Sequence, residues 1–339
     1  MNNVTREEVH AEKGLRTMSL EANKEGLYSK TFMIESTSLC NLKCPLCPVP
    51  HHLHRDTGHM KMHTYKDVID DIAGYAKKID LWNFGEPFLN PDIFEMIKYA
   101  TDRKLNVRVS TNSTFLGEEE IEKIFWSNLS SIIVCLDGAT KETHERYRIG
   151  SQFEKVVEGI TQLAQRKRSL GRELPFIRLQ FIVFSYNEHE IDMMIDWAER
   201  MQVDQLALKN ASLGTWIDEK VRKKIAKKLL PKNEKYQKYD LNGDELELKI
   251  QDRVCSWAYG NGVVLSNGDV TTCCYDGSGR HTFANVQKDG GLLNILKSDT
   301  MKGVRKQILN GELPLCKTCQ YSDYGSTLIN FHYSDDDHD

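Results

Sequence analysis

Between residues 31 and 210 the chain alternates short runs rich in β-branched and aromatic residues with longer amphipathic stretches. The β-rich runs fall at 31–34, 79–84, 106–110, 132–136, 177–184 and 205–208, and helical periodicity falls near 65–77, 92–103, 118–127, 152–168 and 188–202. Strand and helix in regular alternation predict a parallel sheet, because each parallel pair needs a long crossover, usually a helix. Six such units predict an α/β fold, a partial (β/α)6 TIM-like barrel.

The flanking sequence reads differently. Residues 1–30 are polar without a clear apolar face, which predicts a frayed helix or a loose arm. Residues 214–250 form a charged linker, in which Lys220, Arg222, Lys223, Lys224, Lys227 and Lys228 make a basic run. That run reads as a solvated helix or as a phosphate-binding face. Residues 251–325 form a small distal unit, where the runs 262–265 and 269–272 flank Ser266, Asn267 and Gly268. Asn-Gly between two β-rich runs predicts a hairpin. Residues 326–339 read as an acidic tail, disordered at its end, Asp335–Asp339.

Charge and composition narrow the function classes. A net charge of −4 gives no general attraction to nucleic acid or to an anionic membrane. No apolar run approaches the roughly 20 residues of a membrane helix, and the polar N-terminus lacks a signal-peptide core. A cytoplasmic protein is the expectation. Nine cysteines in such a protein point to metal or redox chemistry rather than to disulfides. They group as Cys40, Cys44 and Cys47; then Cys255, Cys273, Cys274, Cys316 and Cys319; with Cys135 apart.

The first group has CxxxCxxC spacing and follows the first predicted strand. Three thiolates in one loop cover three irons of a 4Fe–4S cube and leave the fourth open. The same thiolates with His51 or His52 would also make a zinc site. Other chemistry-bearing residues recur at the ends of the predicted strands: Gly85, Glu86 and Pro87; Ser110, Thr111 and Asn112; Cys135 and Asp137; Ser185 and Asn187; Lys209 and Asn210. Clustering at the C-terminal rim is where a barrel of this kind places its active site.

On these residues, over about 31–325, the chain resembles the radical S-adenosylmethionine (SAM) enzymes that carry a C-terminal SPASM/Twitch extension. The resemblance implies that Cys40, Cys44 and Cys47 hold a cluster whose open iron binds SAM, and that reductive cleavage of SAM gives a 5′-deoxyadenosyl radical. It implies that Gly85, Glu86 and Pro87 bind the SAM amino group, with the carboxylate of Glu86 facing the ammonium. Ser110 and Asn112 match positions that contact the ribose or methionine portion, and Arg148 suits the SAM carboxylate, or else forms a surface ion pair. Two departures stand out: Leu46 replaces the frequent aromatic before the third cysteine, and Cys135 replaces a usual serine. Cys135 reads as a small buried residue or as a thiol near the active rim.

Cys255, Cys273, Cys316 and Cys319 resemble the ligands of one auxiliary 4Fe–4S cluster, with Gly268 five residues before Cys273. A zinc ribbon is the rival on ligand spacing alone. Two clusters in total are expected. Cys274 reads as a structural hairpin residue, as a ligand exchanged with Cys273, or as a hydrogen donor to a substrate radical; strand alternation would point it away from Cys273. His51, His52, His54 and Arg55 follow the cluster loop and read as substrate contacts or as solvated residues.

In layout the chain is similar to aminocyclitol dehydrogenases and epimerases of the family. That implies oxidation or epimerisation of a sugar, aminocyclitol or nucleotide-sugar-like metabolite. The alternative is maturation of a precursor peptide by epimerisation, cross-linking or oxidation, and residues 1–30 are too few for a leader-binding domain. A flavodoxin- or ferredoxin-type reductant is implied, with no nucleic acid or membrane partner.

Overall fold

A computed structural model describes residues 3–8, 27, 29–51, 53, 55–213, 216–237, 239–242, 245–248, 255–317, 319 and 327–334. Residues 9–26 of the expected arm, His52, His54 and the acidic run 335–339 lie outside the described residues.

Strand β1 (Asn3–Glu8) precedes six parallel strands: β2 (Thr31–Ile34), β3 (Lys78–Asp80), β4 (Asn106–Thr111), β5 (Ser131–Cys135), β6 (Phe176–Val183) and β7 (Gln205–Asn210). The six lie side by side in chain order. Helices α1 (Met62–Ile72), α2 (Ile93–Thr101), α3 (Glu118–Trp126), α4 (Lys141–Tyr147), α5 (Phe153–Ser169) and α6 (Ile191–Met201) make the crossovers. The partial barrel expected from the alternation is therefore present. Helix α4 escapes the periodicity because its sequence, KETHERY, is almost wholly polar. It is set instead by a capping box between Thr140 and Thr143, both of which also donate to the buried carboxylate of Glu190.

Side-chain alternation assigns the two faces of the sheet. Along β6, Ile177, Leu179, Phe181 and Val183 are buried in one core with Val156, Ile160 and Leu163 of α5 and Met194 and Ala198 of α6. Each such side chain contributes about 1.5–3 kcal/mol when fully buried. Arg178, Gln180 and Ile182 take the other face. Strand β4 repeats the pattern, with Val107 and Val109 in the core and Arg108 and Ser110 opposite. The outer face thus fastens the helices. The inner face is left polar, unlike the closed TIM barrel, whose interior is packed with branched apolar side chains.

Helix α7 (Glu219–Leu229) carries the basic run, and β8 (Tyr239–Asn242) pairs with β9 (Glu245–Leu248) in a separate two-stranded sheet. In the distal unit, β10 (Val263–Val264) and β11 (Asp269–Thr271) form the expected hairpin, closed through Gly268 at φ +86°. Strand β10 also pairs in parallel with β2, Val263 opposite Met33 and Val264 opposite Ile34. The distal unit therefore extends the barrel sheet. A third strand, β12 (Thr282–Asn285), joins β11, and α8 (Leu292–Lys297) and α9 (Asp299–Leu309) pack Leu292, Ile295 and Met301 into the barrel's own core. The short α10 (Pro314–Lys317) carries Cys316.

Both ends of the chain differ from the sequence reading. Strand β13 (Thr327–Ser334) lies antiparallel to β7, and β1 lies antiparallel to β13. Residues expected in a loose arm and an acidic tail thus continue the sheet. In β13 the cause is local: Ile329 and Phe331 alternate into the core, with Tyr333 packed against it. In β1 it is not, since NVTREE has no apolar alternation and is ordered by its partner strand.

Candidate active site

A cleft of about 330 Å³ opens at the C-terminal ends of the parallel strands. Cys40, Cys44 and Cys47 line one side of it, and Gly85, Glu86, Ser110, Asn112, Cys135, Arg148 and Lys209 line the remainder. Residues singled out at five of the six strand ends are thus brought to one place; after β6, Ser185 instead donates to Lys228 O at 2.8 Å and buried Asn187 donates to Asp137 O at 3.0 Å.

The cysteine loop is held by its own backbone, Cys47 N–H donating to Cys44 O at 3.0 Å. Nitrogen donors also face the sulfurs. Leu42 N and Asn112 Nδ2 lie 3.4 and 3.8 Å from Cys40 Sγ, and Arg148 Nη1 lies 3.9 Å from Cys44 Sγ. Burial pushes all three thiols up, Cys47 to about 12. Proton loss there needs a compensating charge, which bound iron supplies. Soft donors on one loop, faced by N–H groups, fit an iron–sulfur cluster.

Gly85 sits at φ +89°, and a Cβ there would collide with Thr37 O and lie 2.8 Å from Leu39 O. Only glycine lets this rim loop pack against the backbone that leads into the cysteines. The next residue seals the contact, Glu86 N–H donating to Leu39 O at 2.7 Å. The Glu86 carboxylate is buried, and its oxygens accept from Thr111 Oγ1 (2.8 Å), Phe88 N (3.1 Å) and Asn112 N (2.7 Å). Protein donors thus already engage the carboxylate that the resemblance sets against the SAM ammonium, and through them it ties the loop after β3 to the end of β4. Burial nevertheless outweighs those hydrogen bonds and raises its pKa to about 7. Pro87 opens the short 3₁₀ turn Pro87–Leu89 that Glu86 caps. Ser110 points into the cleft from the inner face of β4, and Asn112 Nδ2 bonds Asn41 Oδ1 at 2.9 Å, bracing the cysteine loop.

Arg148 is not in a surface ion pair. Its Nε lies 2.5 Å from Asp137 Oδ2, with Asp137 wholly buried and its other oxygen accepting from Ile182 N at 2.7 Å. His144 braces the same corner: its Nδ1 accepts from Asp137 N at 3.2 Å, its Nε2 meets Ser151 Oγ at 3.0 Å, and burial lowers its pKa to about 4. Cys135 is buried, with Gln180 Nε2 3.5 Å from its sulfur and its thiol raised by burial to about 11. Arg55, expected as a substrate contact or a solvated residue, has a buried side chain instead, bonding buried Glu35 at 2.6 Å and Gly277 O at 3.2 Å, which clamps the distal unit to the loop after β2. His51 Nε2 lies 2.8 Å from Pro45 O.

The distal cysteines lie within electrostatic reach of one another. Cys273 and Cys274 lie beyond the end of β11, in a turn closed by Asp276 N to Cys273 O at 3.1 Å. Strand alternation therefore does not separate them, and both feel the charges of Cys255 and Cys319. Cys316 feels Cys319 and Cys255 as well. Burial raises Cys274 to about 12 and Cys316 to about 11, and Cys274 also lies within electrostatic reach of Lys209 on the cleft wall. This turn is fixed to the cleft, Tyr275 Oη meeting Ser212 Oγ at 2.7 Å and the Tyr275 ring lying 6.2 Å from Trp216. Trp216 itself bonds Leu46 O at 3.1 Å. Sequence reading missed Trp216 because nothing local distinguishes it from the surrounding linker. Gln180 and Trp82, also on the cleft, were legible only through strand parity.

Comparison with known proteins agrees with this geometry. Residues 34–198 match the radical SAM superfamily, and residues 255–320 match the SPASM iron–sulfur cluster-binding domain. The AdoMet-dependent heme synthase of Methanosarcina barkeri is 32% identical over 49% of this chain and 46% of its own length. The mycofactocin maturase MftC of Mycobacterium tuberculosis is 24% identical over 54% of this chain and 46% of its own. The chain thus spans about half the length of the curated relatives it matches. Among solved structures, BtrN in complex with AdoMet and 2-DOIA superposes with a TM-score of 0.54 at 18% identity, over 88% of this chain and 98% of that one. Streptococcus suis SuiB bound to precursor peptide SuiA gives 0.60 at 14% identity, over 87% and 70%. The chain belongs to the radical SAM superfamily and carries a SPASM-type iron–sulfur domain, which makes S-adenosylmethionine and 4Fe–4S clusters its cofactors.

Proposed function

We propose that this enzyme takes a hydrogen atom from a sugar, aminocyclitol or nucleotide-sugar-like metabolite and completes its oxidation or epimerisation. The carrying observation is the cleft: Cys40, Cys44 and Cys47 form one side, and the turn with Cys273 and Cys274 is tied to it through Ser212 and lies near Lys209. Cys40, Cys44 and Cys47 would hold the cluster, and SAM bound with it would supply, on one-electron reduction, methionine and the 5′-deoxyadenosyl radical. The remaining tasks fall to this chain's side chains. Gly85 and Pro87 shape the rim that meets the amino group of SAM, while Glu86 holds that rim in place. Ser110 and Asn112 border its ribose or methionine portion, and Arg148, anchored by Asp137, offers its outer nitrogens to the carboxylate. Cys255, Cys273, Cys316 and Cys319 hold a second cluster, making two in all. Cys274 returns a hydrogen atom to the substrate radical. A flavodoxin- or ferredoxin-type protein delivers the electron.

A second reading is peptide maturation, favoured by the maturase name of MftC and by the precursor peptide bound to SuiB. The experiment is anaerobic reconstitution followed by iron analysis and turnover. About eight irons per chain and 5′-deoxyadenosine formed on reduction support the enzyme class. Deuterium passing from a labelled sugar or aminocyclitol into 5′-deoxyadenosine supports the metabolite reading. Label transfer from a precursor peptide alone moves the assignment to the second. About two zincs per chain and no 5′-deoxyadenosine overturn both.

A further inference from the structure

We infer that the inner face of the barrel, at and below the cleft floor, is a site for an oxyanion, a carboxylate or phosphate carried by the substrate. The inference deepens the proposed function and rests on it for the identity of the occupant as substrate. Four cations occupy the inner-face parity of two strand pairs on either side of β5: Lys78 on β3 and Arg108 on β4, then Arg178 on β6 and Lys209 on β7. Among the described inner-face positions of the parallel strands, one holds a carboxylate, Asp80. Asp80 takes Arg108 on both oxygens, each at 2.9 Å, and meets Lys78 at 3.7 Å. The side chains of Arg178 and Lys209 make no hydrogen bond and no ion pair among the described residues. Lys209 lines the cleft, as does Trp82, whose ring centre lies 4.9 Å from the Arg108 guanidinium.

These charges are close enough to act on one another. Burial, and then Arg108, holds Arg178 below the usual arginine range. Burial lowers Lys209 to about 8; Cys135 and buried Asp137 oppose that, and Arg178 and Arg108 add to it. Like charges gathered in a half-buried chamber repel, and that repulsion is relieved when an anion enters. Lys209 on the cleft wall offers an oxyanion a point charge, and Arg178, deeper on the inner face (opposite Gln205, where Lys209 is opposite Ile182) and within electrostatic reach of Lys209, adds a planar guanidinium of the kind that holds an oxyanion bidentately. An unmodified aminocyclitol, itself cationic, is disfavoured there. A phosphorylated or nucleotide-linked sugar, or a carboxylate, is favoured.

The test titrates inorganic phosphate and glutarate, separately, into anaerobically reconstituted, SAM-loaded protein in a zwitterionic buffer, with myo-inositol as the neutral arm. At least one anion is expected to bind, and the tighter of the two names the source. K209M and R178M are each expected to weaken it tenfold or more, the size of a lost charge-assisted contact, and K209R and R178K to recover most of the loss. K220M, on the exposed basic helix, is expected to leave it unchanged. Three results overturn the inference. The wild type binds neither anion at millimolar concentration; or K220M weakens binding as much as K209M; or SAM affinity, measured separately, falls as far as anion affinity in K209M, which assigns the charge to the cofactor. Formation of 5′-deoxyadenosine in the same preparation tests the radical chemistry separately, so a failure of that reading is told apart from a failure of the anion site.

Discussion

Glu86 sets two opposed effects against each other, and pH separates them. Its carboxylate is wholly buried, which favours the neutral acid, yet it accepts three hydrogen bonds, which favour the anion. Burial prevails here, raising the pKa from its ordinary 4.5 to about 7. The folded protein then binds more protons than the unfolded chain between those two values. Stability from this group is fully present below the unfolded pKa and is lost as pH rises through 7. Between about pH 5 and about pH 8.5 the loss amounts to roughly 2–3 kcal/mol. E86Q keeps the shape and one acceptor oxygen but does not titrate. The assay is anaerobic urea denaturation of both proteins across that range, reading the difference in unfolding free energy so that other titrating groups cancel. Wild type is expected to lose about 2–3 kcal/mol relative to E86Q from acid to alkaline pH. A flat difference would show that the pKa is not raised. A difference of opposite slope would show that the three donors outweigh burial, refuting the reasoning outright.

Other perturbations test the remaining parts. Serine at Cys40, Cys44 or Cys47 is expected to remove about four irons per chain and abolish 5′-deoxyadenosine formation, by iron analysis and chromatography; full retention of iron would place the cluster elsewhere. G85A, which forces a Cβ against Thr37 O at φ +89°, is expected to destabilise by about 1–3 kcal/mol and weaken SAM binding, read by melting temperature and equilibrium dialysis. R148M leaves the buried Asp137 carboxylate without its cation and is expected to cost about 3–5 kcal/mol of unfolding free energy, where a change below about 1 kcal/mol would mark the pair as dispensable. C274A is expected to raise the ratio of 5′-deoxyadenosine to epimerised product; an unchanged ratio removes the hydrogen-donor role.

What the sequence made legible is what short-range pattern controls. The β6 segment announces itself because Ile177, Leu179, Phe181 and Val183 alternate without a break. The hairpin is visible because Gly268 must adopt a positive φ beside Asn267. The cysteine spacings carry their chemistry in the residue type itself. The less legible features depend on partners far along the chain. Strand β1 has no apolar signature and exists through β13, more than 300 residues away. Glu86 read as a ligand because its sequence context shows a carboxylate at a rim. Only the fold brings Thr111, Asn112 and Phe88 to its oxygens. Cys274 read as facing away from Cys273 because β11 was taken to run on to residue 272, whereas the turn begins before either cysteine's alternation can act.

The same distinction explains why the inner face carries more information than the rim. Rim residues are recognisable by type and spacing, so they indicate the chemistry shared with relatives. Inner-face residues are recognisable only once strand parity is known, because Lys78, Arg108, Arg178 and Lys209 are scattered singly through four strands and look like ordinary surface charges in the linear sequence. The outer face leaves them little freedom: moving one strand by one residue would expose Leu179 or Val109 and bury a cation among the helices instead. Core packing that fixes the register therefore also fixes the charge inside the barrel. A substitution on the outer face of β6 that slips the register, such as L179K, should accordingly abolish anion binding and folding together. K209M should separate the two, losing the anion while keeping the fold.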